Sequence, residues 1–128
     1  MNCKIIVLDG FKRDVKRLLK KYISLKSELT QLETDLLANP RMGTLIHENT
    51  YKIRLAVKSK GKGKSGGMRV ITHAIEIEIT IDENITKQDL NVFLLTIYDK
   101  SEMENIADSD LKHLISEVMN ELNIEDKQ

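Results

Sequence analysis

Tryptophan is absent from the 128 residues, proline and cysteine occur once each, and aromatic residues make up only 4%. Each scarcity excludes something. A lone Cys3 cannot close an internal disulfide, and no Cys/His cluster has the spacing of a metal site, so neither metal nor organic cofactor is expected. Few rings argue against a platform on which the bases of a single strand stack, and they leave the core to Leu, Ile and Val. The opening MNCKIIVLDG holds only four consecutive apolar residues before Asp9, too short a run for a signal peptide or a membrane anchor. No apolar run precedes Cys3, as a lipoprotein site would require. A cytoplasmic protein with no membrane partner is the expectation.

What is present is unevenly spread. Acidic and basic side chains balance at 20 each, yet the residues between Asn49 and Ile75 carry seven Lys/Arg and no Asp or Glu. The other segments together are therefore as negative as this one is positive. Such a division points to a polyanionic partner, with nucleic acid the default. Hydrophobic residues reach 41%, and the length suits a single domain spanning 1–128 that buries roughly two-thirds of its unfolded surface.

Periodicity gives the order of elements. Ile5–Leu8 is a short β-branched run suited to a buried first strand. Phe11, Val15, Leu18, Leu19 and Tyr22 then mark one face of a helix, with Lys12, Arg13, Lys16, Arg17, Lys20 and Lys21 on the other. That basic stripe is either a solvated face or a second contact surface. Ser24 is placed to cap a second helix carrying Leu25, Leu29, Leu32 and Leu36, which Asn39-Pro40 stops. Residues from Pro40 to Asn49 read as a loop with Gly43 at its turn. Tyr51, Ile53, Leu55 and Val57 alternate with Lys52, Arg54 and Lys58, giving a strand with one apolar and one cationic face. Ile71, Ile75, Ile77, Ile79 and Ile81 share one parity of the next strand, and Val92–Tyr98 is an apolar run buried on both faces. Asp108 or Ser109 opens a last helix with Leu111, Leu114, Ile115, Val118 and Leu122, and the tail after Ile124 is polar. The expected fold is α+β: an N-terminal strand and helical hairpin packed on a mainly antiparallel four-stranded sheet, with a C-terminal helix.

The glycine- and lysine-rich connection GKGKSGG does not make a phosphate loop of the nucleotide-triphosphatase kind. No glycine stands where that pattern needs its first one, and strand rather than helix follows. The connection is either a hairpin loop kept soluble by lysine or part of a phosphate cradle. For the cradle, Lys58, Lys60, Lys62 and Lys64 are the RNA-binding candidates, and Lys52, Arg54 and Arg69 lie on the flanking strands in directions that the pleat fixes. His73 shares the parity of Arg69 and is a candidate acid or base, or else a structural histidine. Tyr98 and Lys100 stand where the buried strand surfaces. Arg69 falls on the isoleucine parity of its strand, whereas Lys52 and Arg54 face away from the core of theirs; a bulge near Gly67 is the expected remedy.

FKRDVKRLLKKYISL, YKIRLAVKSKGKGKSGGMRVIT and LLTIYDKSE together resemble the RelE superfamily of type II toxins, near its HigB-like members, over roughly residues 5–115. The resemblance implies a RelE-like fold and an endoribonuclease that cuts messenger RNA, usually on the ribosome, restrained by a cognate antitoxin. It places the family's basic strand pair on Lys52 and Arg54, its strand-opening arginine on Arg69, and its basic residue after the last strand on Lys100. Where relatives of the RelE type carry a tyrosine six residues further on, this chain has Ile106, which leaves Tyr98 as the substitute. The chemistry needs no metal. A 2′-hydroxyl attacks the adjacent phosphate, and Lys/Arg side chains stabilise the added negative charge. A lysine of lowered pKa, or His73, is the expected base.

Overall fold

The computed structural model describes residues 2–60 and 67–126, with side chains through Leu122. Among them, three α-helices accompany a five-stranded mixed sheet of order β1-β5-β4-β3-β2. The α+β class is as expected; the four-stranded sheet is not. β1 (Asn2–Val7) lies parallel to β5 (Ile85–Asp99), while β2 (Thr44–His47), β3 (Thr50–Leu55), β4 (Met68–Asp82) and β5 follow one another antiparallel. The additional strand is β2, within the segment expected to be a loop. A short edge strand of mixed polarity has no long alternation to betray it. Gly43 does turn the chain into β2, at φ 101°. A Cβ there would lie 2.6 Å from the Lys52 carbonyl oxygen, so the close approach admits no side chain.

α1 (Asp9–Leu19) and α2 (Leu25–Ala38) form the expected hairpin over one face of the sheet. Phe11, Leu18, Leu25, Leu32 and Leu36 bury against Ile53, Val70, Val92 and Leu94. Ser24 precedes α2 but does not cap it with its side chain; its hydroxyl meets Ser59 and Glu28 instead. α3 (Asp108–Asp126) covers the opposite face, where Leu111 and Val118 join Ile71, Phe93, Leu95 and Tyr98. It runs two residues past Ile124. Asp108 and Asp110 in its first turn complement the helix dipole.

The sheet thus has two apolar faces, and that removes the parity conflict at Arg69. β3 and β4 pair without interruption from Leu55–Met68 to Thr50–His73, so the bulge expected near Gly67 is absent. The isoleucines of β4 belong to the α3 face, which is also the face of Lys52 and Arg54. An irregularity lies instead between β4 and β5: Ile71 pairs with Thr96 and Thr72 with Leu94, leaving Leu95 as an extra residue. Through it β5 changes parity, so that Phe93, Leu95 and Tyr98 all serve the α3 face while Leu94 and Ile97 serve the hairpin.

Candidate nucleic-acid interface

Cross-strand partners in a ladder project to the same side. Arg54 pairs with Arg69, and Arg69 in turn with Tyr98; Lys52 pairs with Ile71, and Thr50 with His73. Register therefore brings Lys52, Arg54, Arg69, Tyr98 and His73 to one face. Lys100 stands one residue beyond β5 at the same end, its amide donating to the Gly67 carbonyl at 3.2 Å. These residues are not equally accessible. Arg54 is exposed and Lys52 half-buried, its Nζ donating to Asn105 Oδ1 at 3.3 Å. Arg69 is only 3% exposed, with its guanidinium donating to the Met68 carbonyl. Of the loop lysines, Lys58 is exposed, while Lys62 and Lys64 lie outside the described residues.

Lys60, expected to face RNA, is turned inward. Its side chain is 5% exposed and ion-paired to Asp99, itself 1% exposed. The ammonium also sits 5.6 Å from the centre of the Tyr22 ring. It cannot hold an RNA phosphate while it neutralises this carboxylate. Asp99 also accepts the Tyr22 hydroxyl at 2.8 Å and both the amide and hydroxyl of Ser101. Burial pushes the Asp99 carboxyl up, but Lys60, Ser101 and Tyr22 together hold it well below the usual range. Asp99 escaped the sequence reading because the YDKSE turn gives no sign of which donors will converge on it.

His73, a candidate base, and Tyr98, the substitute for the family's tyrosine, are interior groups. His73 is 3% exposed and Tyr98 is 4% exposed. Thr50 Oγ1 donates to the Glu48 carbonyl at 2.9 Å and lies 2.8 Å from His73 Nδ1. A hydroxyl has one proton, so Thr50 accepts from Nδ1–H and the ring carries a bare Nε2. That nitrogen has no partner among the described residues. Burial lowers the His73 pKa, with His47 and Arg41 adding to the effect and Glu48 opposing it. Burial raises the Tyr98 phenol, against the Ile106 backbone and Arg69. Ile106 itself packs into the α3-side core. A second histidine, the exposed His47, also reaches this face. The irregularity between Leu45 and His47 sets His47 opposite Thr50, and so on the cationic face. It lies four strand positions from Arg54, about 13 Å along the ladder.

The basic stripe of α1 divides. Arg17 and Lys21 pair with Glu102 on the exposed surface, whereas Lys12, Lys16 and Lys20 border a cleft beside α2. No group of three or more His, Cys, Asp or Glu fit to hold a metal occurs among the described residues. No helix among them is long and apolar enough to cross a membrane. No family model matches the sequence, and no solved structure matches this fold.

Proposed function

We propose that the chain is the toxin of a toxin–antitoxin pair, a RelE/HigB-like endoribonuclease that cuts messenger RNA on the ribosome in the cytoplasm. The observation carrying this reading is the cross-strand pair of Arg54 and Arg69. Arg54 lies exposed above the buried Arg69, with Lys52 on the same face and Lys100 at the same end, and that concentration of positive charge supports a site that draws in a phosphate.

In the reaction the 2′-oxygen bonds to the adjacent phosphorus as the bond to the 5′-oxygen breaks. The attacking hydroxyl gives up its proton and the departing oxygen gains one, leaving a 2′,3′-cyclic phosphate and a 5′-hydroxyl. Negative charge gathers on the phosphate oxygens, where Arg54 and Lys52 stabilise it. Arg69 acts as a positioning charge from beneath the surface, and Lys58 draws the backbone in. Orientation of the messenger by the ribosome supplies much of the rate, which lightens the demand for a strong base. A cognate antitoxin holds the activity in check. Induced expression in bacteria is expected to arrest growth, and Lys52→Ala/Arg54→Ala to relieve the arrest at equal protein level. Unimpaired growth with well-expressed wild type would exclude a toxin.

A second reading, a non-catalytic module binding RNA through the same face, is favoured by the burial of His73 and Tyr98. Neither ring lies at the surface where the phosphate would sit. Binding without cleavage of messenger RNA distinguishes it.

A further inference from the structure

Away from the cationic face, a cleft of about 820 Å³ opens between α1 and α2. Ile5, Val7 and Leu94 form its floor, Phe11 and Val15 one wall, Leu29 and Leu36 the other. Its rim is cationic. Lys12 and Lys16 stand on α1, Lys20 at its C-cap, and Lys26 faces them from α2, against a single rim carboxylate, Glu33. All four lysines are exposed. The first three follow at i, i+4 and i+8, the Lys20 backbone still being helical, so they form a row with about 6 Å between neighbours and about 12 Å end to end.

We propose that this cleft seats an amphipathic, acidic α-helix of a partner protein. Its apolar stripe lies on the floor and its carboxylates, one per turn, run along the lysine row. The spacing decides among occupants. A single-headed anionic lipid would engage one lysine and leave the rest without function. A nucleic-acid backbone would use the row but leave the apolar floor against water. A helix with anchors at i, i+3, i+4 and i+7 satisfies both the floor and the row, because its own turn repeats at the same interval. The site does not depend on the ribonuclease reading. Since the sheet separates the cleft from Lys52 and Arg54, the seated helix leaves the cationic face open, and the two surfaces are occupied independently.

The test uses two labelled synthetic helices of the same leucine-striped design, one with a glutamate per turn beside the stripe and one with lysine instead. Fluorescence anisotropy with the full chain at low salt is expected to show saturable binding of the acidic helix, at least tenfold tighter than the basic one. Lys12→Glu/Lys16→Glu/Lys20→Glu is expected to reverse that preference. Amide shifts on binding should fall at Val15, Leu29 and Leu36 and leave Lys52 and Arg54 unmoved. Failure of the acidic helix to saturate, equal binding of the two peptides, or indifference to the triple substitution would each overturn the proposal. So would saturable binding of dodecanoate, abolished by the same substitution, where the acidic helix does not bind.

Discussion

Asp99 gathers donors from three parts of the chain: Tyr22 after α1, Lys60 before the glycine-rich connection, and Ser101 in the turn that follows β5. A buried carboxylate in that position is stable only as long as its partners stay. Lys60→Met would leave it charged and unpaired, and is expected to destabilise the fold by about 3–5 kcal/mol, read from urea unfolding. A smaller effect is expected at Arg54. Arg54→Thr removes an exposed charge of the cationic face, so it should weaken RNA binding while changing stability by no more than about 0.5 kcal/mol. His73 gives a pH signature. Its folded pKa lies below the unfolded reference of about 6.5, so the unfolded chain takes up the proton first. Its contribution is present above that value and is lost as pH falls through it towards the folded pKa. Unfolding free energy is expected to drop between pH 7.5 and 5.5 in the wild type, and to drop less in His73→Gln.

Elements were more legible than their edges. The helical hairpin, β3 and α3 follow from apolar spacing, because each buries one stripe and presents the other to water. β2 did not announce itself, being four residues long at the rim of the sheet. Nor did the way the isoleucine row of β4 is used. Ile71 is buried under α3, but Ile79 and Ile81 are exposed, since β3 stops opposite His73 and β1 opposite Asp89. Beyond those points β4 and β5 continue as a two-stranded ribbon. Periodicity shows which side chains share a face, and the ends of neighbouring strands decide how far that face is covered. Ile79→Thr/Ile81→Thr is accordingly expected to change stability by no more than about 0.5 kcal/mol per site. Gly43→Ala should cost more than about 1 kcal/mol in the same assay, because it combines positive φ with a clash against Lys52.

At the scale of the molecule, the charge division visible in the sequence becomes a division of surfaces. The cations of β3 look out from the α3 side of the sheet, while Lys12, Lys16 and Lys20 rim a cleft on the other. How much charge is presented was not legible, because Lys60 and Arg69 turn inward for reasons set by tertiary partners. The candidate RNA surface is therefore smaller than the count of lysines implies, centred on Lys52 and Arg54. If each holds one phosphate, replacing both with alanine should lower the salt dependence of single-stranded RNA binding, the slope of log K on log salt, by about 1.4. Cutting of messenger RNA by this face is read by primer extension on RNA from cells expressing the chain. New 5′ ends within coding regions are expected with the wild type and not with Lys52→Ala/Arg54→Ala at matched expression. Absence of new ends from the wild type, or the same ends from the double variant, would contradict it.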